Sequence, residues 1–501
     1  MSENQSTHRL ASCRRWGVGG GEPARRDEGL APERGLRRPR RVGGLRVVGA
    51  IGLLCTLAAS GCARGLMPVP NLYGPDGVDP FETVPAPLRR ARAHVLYVTN
   101  RLQDRESEGL AYTGERSFEV QTGVASVAFG EEGEAPDWPS VSQGRRPPDA
   151  PTMPLRVTSY HRFADRRYFA QVANEGLALS PTREVVLYVH GYNTTMDSAV
   201  FHLAGLWHFM GRDTVPIVFS WPAGLSGVTG YVADKDSAEF SVLYLKRLLR
   251  ELGRDVRYEK LHIICHSAGT ELVATTLREL LLEHGGKPTE ARKAMRLGHV
   301  VVAAPDIDAD VVRTRIIEEG VHLVPERMTL YFTPRDLALN FSMVLRAGMP
   351  RWGAVGLPRL EDLGLPTLEA ERGAAMGVES VRKLGDIPSI DAVDASDVVG
   401  GFFLAHDYFL DSPEVSADIV AAVKYGWNPV DHPQLRPLEQ VVDERGKRTF
   451  RIPPGYLAKP SPAWIEAAQE RRPGLRPRVA SVLGALEDKA SPGASAPDAA
   501  P

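Results

Sequence analysis

The stretch Lys260-Leu261-His262-Ile263-Ile264-Cys265-His266-Ser267-Ala268-Gly269-Thr270 constrains this chain most, because a short apolar run breaks off at a serine set among small residues. A buried strand turning sharply into a helix exposes a serine hydroxyl at its tip, the geometry that nucleophilic acyl transfer needs. Small residues are wanted two positions before and after such a serine, since the turn brings neighbouring backbone close. Those positions hold Cys265 and Gly269, so the first glycine of the usual G-x-S-x-G pattern is missing. A serine between a strand and a helix is more often only a helix cap, and the weight of this one comes from its surroundings.

Upstream, Glu184-Val185-Val186-Leu187-Tyr188-Val189 reads as another buried strand that runs into His190-Gly191-Tyr192-Asn193. A glycine there lets backbone N–H groups approach a developing negative charge. The expected donors are Tyr192 from this loop and Ala268 from the residue after the serine. Without Ser267 the same His-Gly pair would be read as a plain turn.

Downstream, the apolar runs His299 to Ala304 and Met328 to Phe332 end in Ala304-Pro305-Asp306-Ile307-Asp308 and Thr333-Pro334-Arg335-Asp336. Either offers a carboxylate at the C-terminal end of a strand, where ligands and catalysts gather in open α/β sheets. Asp336 is the preferred acid and Asp306 the alternative, since Asp306 is also placed to cap a helix starting near Asp308. Of thirteen histidines, His406 is the expected base. It alone combines a late position, a preceding strand-like region and a following helix start at Ser412-Pro413-Glu414, where serine caps and proline fits the first turn. His266 is a poor base, because adjacent side chains at an elbow point apart. The resulting chain order is Ser, acid, His.

Six segments together carry a family resemblance: Tyr97-Val98-Thr99-Asn100-Arg101, Val189-His190-Gly191-Tyr192-Asn193, Phe219-Ser220-Trp221-Pro222, His266-Ser267-Ala268-Gly269, Ala304-Pro305-Asp306-Ile307-Asp308 and His406-Asp407-Tyr408-Phe409. In this order, over roughly residues 93 to 426, the chain resembles a bacterial family of α/β-hydrolases of unknown function. That family is also described as esterase- or lipase-like, and several of its members are lipoproteins. The resemblance implies an α/β-hydrolase fold, with a mostly parallel central sheet and helices on both faces, and a Ser-Asp-His triad. It supplies no substrate.

The N-terminus differs in character. Met1 to Arg46 carries 11 Lys or Arg against 5 Asp or Glu, and Val47 to Ala59 is apolar and small. A charged region followed by a core too short for a comfortable membrane span is a signal-peptide pattern. Ala59-Ser60-Gly61-Cys62 matches a bacterial lipobox, with alanine where leucine is more usual, so Cys62 is the expected lipidation site. The long basic leader suggests a translation start downstream of Met1. With Ala63 after the cysteine, the expected location is the cell envelope, at the periplasmic face of the outer membrane in a Gram-negative host.

Removing a leader of net +6 from a chain of net −2 leaves about −8, which takes away any general electrostatic case for nucleic-acid binding. Of the four cysteines, Cys13 and Cys55 leave with the leader and Cys62 would carry lipid. Cys265 then has no partner for a disulfide, and a thiol on a buried strand is expected to be inert.

With 43% hydrophobic and 24% charged residues, the chain can bury a sizeable core. The expected organisation is a signal peptide over 1–61, a lipidated N-terminus and Pro-rich linker over 62–92, one hydrolase domain over 93–426, and a Pro-rich C-terminal extension over 427–501. Strands are expected at Ala93 to Val98 and Val215 to Phe219, and helices at Asp197 to Met210, Ser237 to Leu252 and Ala268 to Glu283. Gly130 to Pro154 reads as a loop, 340–384 as a cap over a pocket or a surface insertion, Leu435 to Ile452 as a small hairpin or arm, and Lys489 to Pro501 as disordered.

No metal cluster, phosphate loop or dinucleotide fingerprint is visible, and no cofactor is implied. The expected activity is carboxylic ester hydrolysis on a small-molecule or lipid ester. The competing readings are a membrane-associated lipase or acyltransferase, and a non-catalytic envelope lipoprotein that retains the fold.

Overall fold

Successive strand residues point to opposite faces, and both faces of the central strands here are apolar. Val185, Leu187 and Val189 enter one buried cluster, while Val186 and Tyr188 enter the other. A sheet with two apolar faces needs helices on both. The computed structural model describes residues 70–73, 88, 91–129, 155–224, 227–356, 387, 389–399, 406–442 and 448–470.

Along the chain run β1 (Arg92–Asp104), β2 (Ala111–Phe129), β3 (Leu155–Arg162), α1 (Arg166–Leu179), β4 (Val185–Val189), α2 (Met196–Phe209), β5 (Val215–Ser220), α3 (Gly227–Asp255), β6 (Leu261–His266), α4 (Ala268–Glu283), α5 (Pro288–Met295) and β7 (Leu297–Ala303). They are followed by β8 (Arg327–Phe332), α6 (Leu337–Leu345), β9 (Ile390–Asp394), α7 (Pro413–Val423), β10 (Glu439–Val442), β11 (Arg448–Arg451) and α8 (Pro462–Glu470). The sheet order is β10-β11-β9-β8-β7-β6-β4-β5-β1-β2-β3. Pairing is parallel from β11 to β1 and antiparallel at both margins.

This order places the site. From β4 the chain fills β5 on one side, then crosses to β6 on the other and continues outward through β7, β8 and β9. The order therefore reverses between β4 and β6, and a crevice forms outside the C-terminal ends of strands at such a switch point. Val189 of β4 is in register with Cys265 of β6, so His190-Gly191 and His266-Ser267 leave the sheet side by side.

Several elements go beyond the sequence reading. The sequence does not signal the antiparallel β2 and β3, because the first half of β2 is half-buried to exposed and lacks an apolar run. Helix α3 begins at Gly227, well before Ser237, and its early turns carry Tyr231, Asp234 and Lys235. The expected arm is a hairpin, β10 with β11, and β11 pairs in parallel with β9. The sheet thus continues past residue 426. There Arg436, fully buried, bonds both oxygens of Asp418 at 2.8 Å and Asp391 at 2.8 Å. Trp464, also fully buried, donates to Leu435 O at 2.8 Å.

Within the stretch read as linker, Leu72 and Tyr73 are buried and Asn71 donates to Tyr456 O at 3.2 Å. The leader 1–61, Cys62, the loop 130–154, most of 340–384, residues 403–405 before His406 and the tail lie outside the described residues. Among the described residues no helix is long and apolar enough to cross a membrane.

Candidate active site

Ser267 stands at the junction of β6 and α4 with φ 51° and ψ −123°, a backbone conformation that a non-glycine residue adopts only under constraint. The constraint is visible. Ser267 N donates to Ala303 O at 3.0 Å, and its carbonyl accepts from Thr270 N at 3.1 Å and Asp306 N at 3.3 Å. Its side chain makes no capping bond to α4, which removes the commonest structural role for a serine at this position.

The two neighbouring glycines are required by space. A Cβ on Gly269 would lie 2.2 Å from His190 O, and one on Gly191 would lie 2.8 Å from the Ser267 Cβ. The His190-Gly191 loop therefore packs directly against the serine. The missing glycine two positions before Ser267 is no defect, since Cys265 lies within β6 with its thiol directed at Val301 O, 3.2 Å away. Burial pushes this thiol well above its ordinary range, as an inert cysteine requires.

Ala268 opens α4, where first-turn N–H groups lack intrahelical acceptors and the helix dipole favours negative charge. Across the crevice, Asn193 has φ 51° and its N–H donates to Asp234 Oδ2 at 2.9 Å. The same carboxylate oxygen accepts from Gly224 N at 3.3 Å. Asp234 thus pins the end of the loop that carries Tyr192.

The structure separates the two acid candidates sharply. Asp336 is fully buried at the end of β8; its Oδ2 lies 2.7 Å from His406 Nδ1, and its Oδ1 accepts from Leu339 N at 2.9 Å as the cap of α6. Asp306 has other partners: Arg351 Nε at 2.7 Å, Ser342 Oγ at 2.8 Å and Tyr231 Oη at 2.6 Å, with Lys235 Nζ at 3.8 Å. The helix cap considered for Asp306 is made by Asp308, whose Oδ1 accepts from Asp310 N at 2.9 Å and from Val311 N at 3.3 Å.

Electrostatics follow the partners. Burial alone would lower the His406 pKa, but the charge and hydrogen bond of Asp336 outweigh it, aided by Asp407 and Asp306, and hold it at about 9. Burial would raise the Asp306 pKa, and Lys235, Arg351, Tyr231 and Ser342 together hold it well below the usual carboxylate range. For His266, burial and then the nearby His406 push the pKa down to about 3, against Asp407. His266 is therefore neutral at ordinary pH. Its ring sits 4.7 Å from that of His406, and its Nε2 lies 3.3 Å from the His406 carbonyl oxygen.

Sequence reasoning gave no role to Arg101, Ser220, Trp221, Asp234 or the Asp306 cluster of Tyr231, Lys235, Ser342 and Arg351. The signal for Arg101 and Ser220 was a polar residue just past an apolar run, which Tyr97-Val98-Thr99-Asn100-Arg101 and Phe219-Ser220-Trp221-Pro222 both show. Among the described residues no cluster of His, Cys, Asp and Glu is arranged to hold a metal ion.

No curated protein matches the chain. Among solved structures, a protein described as a cell surface hydrolase, from Lactobacillus plantarum WCFS1, shares 12% identity over 48% of this chain and 89% of its own, with a TM-score of 0.25. A protein described as a hydrolase, from Agrobacterium vitis S4, shares 15% identity over 43% of this chain and 57% of its own, with a TM-score of 0.19. Likenesses this weak carry no argument about function. The family comparison is stronger, matching residues 166–423, more than half of the chain and the span from α1 to the end of α7. The chain belongs to the family described as alpha/beta hydrolase of unknown function (DUF900).

Proposed function

We propose that this hydrolase is a serine carboxylic ester hydrolase. Ser267 is the nucleophile, His406 the general base, Asp336 its orienting acid, and the Tyr192 and Ala268 N–H groups the oxyanion donors. His406 takes the proton as Ser267 Oγ attacks the ester carbonyl carbon. The tetrahedral oxyanion collapses, the ester C–O bond breaks, and the alcohol leaves with the proton from His406. Water, deprotonated by His406, then attacks the acyl-enzyme and releases the carboxylic acid.

The observation that carries this reading is the left-handed backbone of Ser267 beside the Gly191 loop. A strained, buried serine that caps nothing is costly to keep, and such strain concentrates at functional sites. The His406–Asp336 pair supports it. The test is hydrolysis of a p-nitrophenyl ester: Ser267→Ala should lose on the order of 10⁶-fold in turnover, and an undiminished rate sinks the assignment.

Exposed Leu337, Val344, Met349 and Val355, on and just after α6, together with Val228 and Val232 on α3, favour a second reading as a membrane-associated lipase or acyltransferase. Product analysis in the presence of a competing alcohol separates acyl transfer from hydrolysis. We propose as well that Cys62 is lipidated and holds the protein at the cell envelope, since two or more acyl chains give stable attachment. Cys62→Ser should release it from the membrane fraction or leave the precursor uncleaved; membrane binding like that of wild type argues against this anchor.

A further inference from the structure

Two sequence motifs that the proposed chemistry does not use meet beneath the loop that carries Tyr192. Arg101, near the end of β1, is buried, and the β1–β2 register shifts on both sides of it, an irregularity of the kind that re-aims a side chain. Its guanidinium reaches Ser220 Oγ at 2.8 Å through Nε, Ala223 O at 2.6 Å and Thr113 O at 3.2 Å through Nη1, and Thr194 O at 2.6 Å through Nη2. Nη2 also lies 3.2 Å from His190 Nε2. None of these acceptors is a carboxylate. The group thus joins both ends of the turn 190–194 to the segment that follows β5.

The contact with His190 determines more than position. Burial and then the charge of Arg101 push the His190 pKa well below its ordinary value, so the ring is neutral. A neutral ring has one donor and one acceptor. Facing the Arg101 donor, Nε2 accepts, and Nδ1 then carries the hydrogen, which points at Gly191 O 2.9 Å away. Trp221 holds the same ring by stacking at 4.9 Å with 9° between planes, and its Nε1 donates to His190 O at 2.8 Å.

The Gly191 carbonyl and the Tyr192 N–H belong to one planar trans peptide unit, in which they point in opposite directions. A ring that fixes the carbonyl therefore fixes the N–H. We propose that Arg101, acting through His190, is a positioning residue that aims the Tyr192 N–H at the substrate oxyanion. This rests on the serine-hydrolase reading, but the restraint on the peptide plane does not. Burial lowers the Arg101 pKa to about 9, against the pull of Asp234, so the guanidinium stays charged at neutral pH.

The test uses the full chain with Arg101→Gln and, should that variant fail to fold, Arg101→Lys, whose compact ammonium cannot span the same acceptors. Steady-state kinetics on a p-nitrophenyl ester are measured alongside amide hydrogen exchange of 190–194 and of 268–283. The expected result is a kcat lower by about 10²-fold, as for loss of one oxyanion donor, with KM within about twofold and an unshifted pH profile. Exchange should rise in 190–194 and stay unchanged in 268–283. A folded variant with wild-type kcat and unaltered exchange overturns the proposal, as does a uniform rise across both segments, which marks a merely structural arginine. If wild type hydrolyses no ester while the exchange change stays local to 190–194, the hydrolase reading fails and the restraint stands.

Discussion

Asp306 and Asp336 are both buried, and both follow the C-terminal end of a central strand, β7 and β8, yet their partners differ in kind. Asp306 is surrounded by Arg351, Lys235, Tyr231 and Ser342, which joins the segment after β7 to α3 and α6. Asp336 meets the imidazole of His406 and one backbone N–H. A carboxylate locked among fixed cations stays ionised and immobile, suited to holding elements together. One facing a titratable ring is suited to steadying a proton that moves. Burial and strand position do not separate the two roles; the partner's charge chemistry does.

Between these two carboxylates the larger effect on turnover should come from Asp336→Asn. Asparagine keeps the α6 cap but cannot hold His406 in the required tautomer, so kcat should fall on the order of 10⁴-fold, with a melting temperature close to wild type. An equal loss of turnover in folded Asp306→Asn would break the comparison.

The expected outcome for Asp306→Asn is a loss of stability instead. It removes the charge that the buried Arg351 guanidinium faces at 2.7 Å, while Lys235 keeps Glu271, and breaking a buried pair costs about 3–5 kcal/mol. Urea unfolding measures this, and the folded fraction should turn over near the wild-type rate. A wild-type unfolding midpoint would mean that the cluster is not structural.

The smallest expected effect is on pH dependence. The proposed base works deprotonated, and Asp336 raises the His406 pKa to about 9. The acid limb of kcat/KM should therefore climb through neutral pH and inflect near 9, levelling off only above it, well above an ordinary histidine. In Asp336→Asn the cause of the rise is gone, so the residual activity should inflect at lower pH. A wild-type limb near 6.5 would mean that the pair is not coupled in the working enzyme.

The parallel strands and the serine elbow were legible because uninterrupted apolar runs and small residues at a turn are local signals. Val215 to Phe219 and Ala268 to Glu283 match β5 and α4 to within a residue. The Asp306 cluster was not legible. Arg351, Tyr231 and Ser342 lie on three separate segments, and only tertiary contact brings them to one carboxylate. The same holds for Arg436, whose partners Asp418 and Asp391 lie 18 and 45 residues away. Read locally, each looks like an ordinary surface charge. β2 escaped because its first half, no residue of which is fully buried, lacks the apolar alternation that marks a strand.

The central claim is that Ser267 is an activated nucleophile, and a fluorophosphonate probe tests it without knowledge of the substrate. The account predicts covalent labelling of the wild-type protein, mapped by peptide mass spectrometry to Ser267, greatly slowed in Asp336→Asn and abolished in Ser267→Ala. A folded wild-type protein that takes up no label, or carries it on another residue, contradicts the account.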